Sequence, residues 1–310
     1  MAVTIEKSVQ DFIDEVGAAD AVCIVGGRTQ WSVGGLPLAS ARELRAPAGI
    51  VDYHPAEMTV RLGAGTTMSE IDAALAAKGQ TTVLEGATDA TVGGVLAVGH
   101  SGLHRLRVGP MRDALLQVRY VSADGRLITA GGPTVKNVTG YDLCRLMVGS
   151  LGTLGCFAEV ILRTRPRPVA GQWWCVAGDP FAVTAPLYRP STVLWDGETT
   201  WVHLEGHVAD VTAQGEIIAR AGGARCEGPP ALPSVRSSVA PSELPAVIRS
   251  GAAGHCVVEI GVGIVHGQRA LPRSATPAAV VELHRRLRHE FDPLQRLNPG
   301  RNALRALEDA

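Results

Sequence analysis

The sequence predicts an α+β fold in two parts. Its 310 residues exceed what one small hydrophobic core usually needs. Apolar segments switch between a strand period of about 2 and a helix period of about 3.6 along the chain. The run Arg165-Pro166-Arg167-Pro168 breaks this alternation and reads as a linker. The expected division is residues 1–168, itself in two subdomains, and a smaller α+β part over 169–310.

Val9, Phe12, Ile13 and Val16 recur at helical spacing and open the chain with a helix. Residues 21–25 read as a buried strand, followed by a glycine-rich loop over 26–35. A short strand covers 49–53, and the alternation of Met58, Val60 and Leu62 makes another. Thr67 and Glu70 form a capping box before a helix that Gly79 ends. Residues 81–84 are extended. Thr91 opens a short apolar segment that runs to Gly99. Strands over 114–122 and 126–130 flank an Asp124-Gly125 turn. A polar stretch over 136–142 precedes a short helix, and residues 156–162 form an apolar strand.

Past the linker, a strand is expected at 172–177 and a hairpin pairs 192–195 with 200–205 through Asp196-Gly197. A helix covers 209–221. Residues 228–245, rich in proline and serine, read as irregular, and 256–265 as one strand. Thr276 and Pro277 start a last helix with Val280, His284, Leu287 and Phe291 on one face.

Apolar residues are 46% and charged residues 19% of the chain, the balance of a folded globular protein. The formal charge of −1 gives no basic excess for nucleic acid, and no segment approaches the ~20 apolar residues that span a bilayer. With no signal-like apolar start, the expected location is the cytoplasm. Cys23, Cys144, Cys156, Cys175, Cys226 and Cys256 form no Cys-x-x-Cys pair, so neither an iron–sulfur cluster nor a structural zinc is expected in this chain.

The 36 glycines are clustered, which marks loops that a ligand approaches closely. Gly26, Gly27, Arg28, Thr29 and Gln30 follow a strand directly, where successive backbone N–H groups converge on an anion. Taken alone, that loop reads equally as a plain turn. Thr91-Val92-Gly93-Gly94 allows the same close approach, or a tight helix start against a strand. Gly149, Gly152 and Gly155 are spaced as Gly-x-x-Gly-x-x-Gly and lead into a strand, whereas a dinucleotide fingerprint leads out of one into a helix. The nicotinamide reading is rejected on that order.

The order of these clusters, with Gly109-Pro110-Met111-Arg112-Asp113 and residues 135–142, resembles the flavoproteins of the vanillyl-alcohol-oxidase/p-cresol-methylhydroxylase fold. Within them, the run from Arg145 to Gly155 and the closing Phe291-Asp292-Pro293 and Asn298-Pro299-Gly300-Arg301 are similar to the small FAD-binding subunits of bacterial glycolate oxidases. The resemblance covers residues 10–168 and the C-terminal end. It implies a two-subdomain FAD-binding fold of the p-cresol-methylhydroxylase type, then a smaller α+β cap whose tail, 291–301, returns to the first part.

The resemblance also implies FAD, and since tethering takes a histidine or cysteine and residues 26–35 contain neither, the link is expected to be non-covalent, with His100 and Cys156 the residues near other cofactor segments that could form one. The Gly26–Gln30 loop would cradle the pyrophosphate, Thr91, Val92, Gly93, Gly94, Gly152, Thr153, Leu154 and Gly155 would line the cofactor, and Glu159 and Val160 would run along it. Gly109, Arg112, Asp113, Lys136, Asn137, Gly140 and Tyr141 join this implied set. The implied reaction is oxidation of a small 2-hydroxy acid, beside a larger FAD-binding catalytic subunit and an iron–sulfur subunit, with membrane association only through that complex. A non-catalytic subunit of such a complex and a single-chain oxidoreductase with another substrate are the alternatives.

A 2-hydroxy acid needs a cation for its carboxylate and a base for its hydroxyl proton. Arg105, Arg107 and Arg112 are the candidate cations, and His100 and Tyr141 the candidate polar or basic groups. The single-chain relatives of this fold carry a histidine- and acid-rich metal motif that this chain lacks. His203-Leu204-Glu205-Gly206-His207 comes nearest to one, but on a strand end rather than a helix, so no metal site is expected there, and His255, Glu259 and His266 are expected to be structural.

Overall fold

The computed structural model describes residues 2–133, 142–272 and 275–308. The chain divides into two units. One comprises Met1–Gly102, Pro110–Arg167 and Ala275–Leu307, and the other Leu103–Gly109, Pro168–Ser274 and Glu308–Ala310. The division after Arg167 falls at the linker. The short excursion Leu103–Gly109 has no warning in the sequence, and the returning segment starts at Ala275 rather than at 291.

The chain opens with α1 (Ala2–Val16), then β1 (Val22–Ile24), β2 (Arg42–Leu44), β3 (Ile50–His54), β4 (Thr59–Gly63), α2 (Met68–Ala76), β5 (Gln80–Thr81) and α3 (Val92–Val98). The excursion holds α4 (Arg105–Val108). Then follow β6 (Leu115–Val121), β7 (Leu127–Gly131), α5 (Leu143–Met147), β8 (Cys156–Arg163) and β9 (Arg165–Pro166). β1 and β2 pair in parallel, while β3, β4, β8, β6 and β7 form an antiparallel sheet in that order.

β8 is central and every residue from Cys156 to Leu162 is buried, which is why it reads as an unbroken apolar run with no alternation. Leu62, Ile71, Leu75, Leu96, Met147 and Leu162 build the core on one side of this sheet, and Phe12, Val16, Val121 and Ala158 a second core with α1. The capping box is present in full, with Thr67 accepting from the Glu70 amide and Glu70 from the Thr67 amide. Thr91 caps α3 and Gly99 ends it at φ +75°. The expected linker is part strand, because β9 pairs with β5.

The second unit contains β10 (Ala170–Ala177), α6 (Pro180–Thr184), β11 (Thr192–Trp195), β12 (Thr199–Gly206), α7 (Val208–Arg220), β13 (Ala224–Cys226), β14 (Val235–Ser238), α8 (Leu244–Ser250), β15 (Cys256–Glu259) and β16 (Ile264–Gly267). Its seven strands run in the order β13-β10-β12-β11-β15-β16-β14, with neighbours antiparallel. Residues paired across the ladder share a face. One face carries Trp174, Val202 and Leu204 and packs on Val211 and Ile218 of α7. The other carries Trp173, Thr192 and His203 in one row and Arg236 and His266 in another.

Two sequence expectations fail in this unit. Residues 256–265 make two strands because Gly261 and Gly263, at φ +77° and +88°, turn the chain back between them. Residues 228–245 are not irregular throughout, since β14 pairs with β16 and α8 begins at Leu244.

The chain then returns to the first unit with α9 (Ala278–Phe291) and α10 (Ala303–Glu308). Pro277, not Thr276, is the N-cap of α9. Among the described residues, no helix is long and apolar enough to cross a membrane.

Candidate functional site

A cavity of about 410 Å³ lies within the first unit. The loop after β1, from Gly26 to Trp31, forms one wall. The start of α3 supplies Thr91, Gly93 and Gly94, the turn before β8 supplies Leu151, Gly152 and Gly155, and the tail supplies Asn298 and Arg301.

The loop is built to leave backbone donors unspent. Among the described residues, the amides of Gly26, Gly27, Arg28, Thr29 and Gln30 have no acceptor in the protein, while the flanking Val25 amide donates to Leu44. Arg28 adopts φ +57°, a left-handed value that costs a non-glycine residue energy and turns neighbouring amides toward one another. Its side chain is held by Glu43 through bonds of 2.7 and 2.6 Å, and its guanidinium lies 4.8 Å from the Trp31 ring centre. A Cβ on Gly26 would sit 2.3 Å from Thr91 Oγ1, and one on Gly27 2.0 Å from the Asp89 carbonyl oxygen. Both glycines are therefore required by the segment before α3, which the loop touches directly.

The tail fixes this loop from the other side. Asn298 Oδ1 accepts from the Ile24 amide at 3.0 Å, and its Nδ2 donates to the Gly152 carbonyl at 2.8 Å. Arg301 donates to the Val33, Gly35 and Trp31 carbonyls, and its guanidinium lies 4.7 Å from the Trp31 ring centre. Trp31 thus has Arg28 and Arg301 both stacked on it. Burial lowers the pKa of Arg301, against a small upward pull from Cys23. Deeper in the chain, Arg296 donates to the Asp20, Ala123 and Val16 carbonyls.

The cavity wall includes Cys156. Burial pushes its thiol up to about 12, so it is protonated at neutral pH and a poor nucleophile.

Of the residues singled out in the sequence, Gly26, Gly27, Arg28, Thr29, Gln30, Thr91, Gly93, Gly94, Gly152 and Gly155 line the cavity. Val92, Thr153, Leu154 and Val160 are buried and are not part of the lining. Glu159 is buried in the sheet, bonded to Arg61 at 2.5 Å and 3.4 Å from Arg119, away from the cavity lining. Asp113 pairs with Arg145 at 2.8 Å, and neither it nor Arg112 nor His100 is part of the lining. Arg105, Arg107 and Gly109 belong to the second unit. Lys136, Asn137, Gly140 and Tyr141 lie outside the described residues. In the second unit, Glu259 is buried and bonded to His266 at 2.7 Å, His207 is exposed at the N-cap of α7, and His255 is exposed.

The tail was expected to return to the first part, but neither Asn298 nor Arg301 was expected to line the cavity. Its signal was chemical: an asparagine with both amide atoms available and an arginine with five donors, either side of a Pro-Gly turn, suit the capture of loop carbonyls and amides.

Residues 2–131 match the family described as FAD binding domain. The chain is 37% identical over 196 residues to the glycolate oxidase subunit GlcE of Escherichia coli, covering 57% of this chain and 53% of that protein. It is 42% identical over 106 residues to a D-lactate dehydrogenase of Archaeoglobus fulgidus, covering 34% of this chain and 24% of that one. It therefore spans about half the length of the first of these curated relatives and less of the second. The solved structure of an alkyldihydroxyacetonephosphate synthase superposes with a TM-score of 0.67 over 96% of this chain and 74% of that one, at 15% identity, a likeness of fold alone. The glycine-walled cavity, the mixed α and β architecture and the matched segment agree: residues 2–131 are an FAD binding domain, and FAD is the cofactor they point to.

Proposed function

We propose that the chain is the FAD-binding subunit of a 2-hydroxy-acid dehydrogenase assembly of the glycolate type. The observation that carries the proposal is the row of unspent amides from Gly26 to Gln30 along the cavity wall. A diphosphate supplies the acceptors such a row lacks. Gly93, Gly94, Gly152 and Gly155 let the cofactor approach backbone without meeting a side chain. FAD supplies hydride acceptance from the substrate carbon. The protein's part is to hold it, to exclude water and to fix the loop through Asn298 and Arg301. The flavin is held non-covalently in this reading: residues 26–35 contain neither histidine nor cysteine, and burial makes the Cys156 thiol a poor nucleophile.

The substrate class follows from the relatives, whose names are those of glycolate and D-lactate enzymes. In this reading electrons pass to an iron–sulfur partner and a larger FAD-binding subunit completes the active site, a division that fits a chain without a Cys-x-x-Cys pair.

The test is to purify the chain, count FAD per chain, precipitate it with acid, and measure dye reduction with glycolate and D-lactate alone and after adding the partner subunits. Expected are one FAD per chain, all of it released by acid, little turnover alone and turnover restored by the partners. Colour retained in the pellet overturns non-covalent binding. Turnover of about 1 per second or faster by the chain alone overturns the subunit reading. No gain on adding partners overturns its place in such an assembly.

A further inference from the structure

Within the second unit, one nitrogen from each of His104 and His203 and one oxygen of Glu205 lie within 4.8 Å of one another. We propose that these three side chains form a binding site for one first-row divalent cation of the zinc type, with coordination positions left open for water or an anionic oxygen ligand. All three residues belong to the second unit, whereas the cavity is lined by residues of the first.

Secondary structure brings the three together. His203 and Glu205 alternate along β12 and so share a face of the sheet. His104 comes from the excursion, which is fastened to the same sheet twice. Thr192 Oγ1 donates to the Leu103 carbonyl at 3.0 Å, and Arg107 donates to the Arg189 carbonyl at 2.7 Å.

Each donor is already oriented. The His203 ring lies flat on Trp173, with centres 4.6 Å apart and planes 8° from parallel. The His104 ring meets His203 edge-on at 5.5 Å and 66°. Ser191 Oγ donates to Glu205 Oε2 at 2.8 Å, which fixes the carboxylate and leaves Oε1 beside His104. A hydroxyl bonded to the outer oxygen of a ligating carboxylate is the usual support of a metal site.

The spacing suits shared ligation of one ion. His104 Nε2 and Glu205 Oε1 pair at 3.5 Å, and all three ligand atoms lie within 4.8 Å of one another. Ligands about 2.0–2.1 Å from a tetrahedral zinc are about 3.4 Å apart, so this edge is already in place. Two imidazoles and one carboxylate are the donor set that borderline divalent cations take, and three protein ligands leave room for a further one.

The test uses the full chain, stripped with a chelator and titrated with Co²⁺, whose visible absorption reports nitrogen and oxygen ligation, with Zn²⁺ as competitor. One equivalent of Co²⁺ is expected, displaced by Zn²⁺. His104→Ala and Glu205→Gln should each weaken binding at least 10-fold, and Ser191→Ala about 10-fold. His207→Ala, at the exposed neighbouring histidine, should bind as the unaltered chain does. Circular dichroism of each variant checks folding, and His104→Ala keeps the test alive if a strand variant does not fold. No stoichiometric Co²⁺ binding by the unaltered chain, or unchanged affinity in both folded His104→Ala and Glu205→Gln, overturns the site.

Discussion

Asn298 joins three segments that are remote in sequence: the tail, β1 through the Ile24 amide, and the turn before β8 through the Gly152 carbonyl. Both bonds are buried or nearly so, and removing the side chain strands a buried donor and a buried acceptor. Asn298→Ala should cost about 1–3 kcal/mol by chemical denaturation and should weaken FAD retention, because the loop loses one of its two anchors. A variant as stable as the unaltered chain would mean that water replaces both bonds. Gly27→Val should lose FAD altogether. Its Cβ would start 2.0 Å from the Asp89 carbonyl oxygen, so the loop must move off α3. The left-handed residue of this loop is Arg28, not Gly27. Full flavin occupancy in a folded Gly27→Val chain would show that the loop's position does not govern binding. Cys156 is the remaining case. With its thiol raised to about 12, roughly one molecule in 10,000 is thiolate at pH 8, so iodoacetamide should leave it unmodified in the native chain and label it only after unfolding.

At the scale of elements, α2 shows how much one local motif carries. Thr67 accepts from the Glu70 amide, and the Glu70 carboxylate accepts from the Thr67 amide at 2.8 Å. The hydrogen bonds to Thr67 hold the Glu70 carboxyl below its usual range. Thr67→Ala should cost about 1 kcal/mol in thermal unfolding, and an unchanged midpoint would show that packing of Met68, Ile71 and Leu75 alone holds the helix. This box was legible because its signal is local: two residues three apart. The same holds for the Asp124-Gly125 hairpin, for the buried run of β8 and for the glycines after β1. What the sequence hid is non-local. β2 packs against β1 through a pairing that no periodicity encodes, and the three-residue strand offers no pattern of its own. β15 and β16 looked like one strand because apolar residues continue through a turn that only Gly261 and Gly263 mark. Glu159 was expected along the cofactor, but two arginines on neighbouring strands satisfy it inside the sheet. His104 meets His203 only because a seven-residue segment between two stretches of the first unit belongs to the second, an event of tertiary structure with no sequence signature.

For the whole molecule, the first unit is discontinuous: its cavity is closed by residues that the chain adds only after completing the other unit. A ligand that binds the folded unit stabilises all of it, whatever the sequence distance between its pieces. At a free FAD concentration 100 times the dissociation constant, that stabilisation is about 2.7 kcal/mol, or about 100-fold slower exchange of amides that open by global unfolding of the unit. Hydrogen exchange read by mass spectrometry should therefore show FAD slowing exchange in residues 22–35, 87–98 and 151–157. The same protection should appear in 296–301, where the Arg296, Leu297 and Asn298 amides donate to Asp292 and to the Val22 carbonyl. Residues 170–206 belong to the other unit and should gain far less. The tail peptide decides the point. If residues 22–35 are protected while 296–301 exchange as before, the cofactor is held by the loop alone, and Asn298 and Arg301 serve the fold without serving the site.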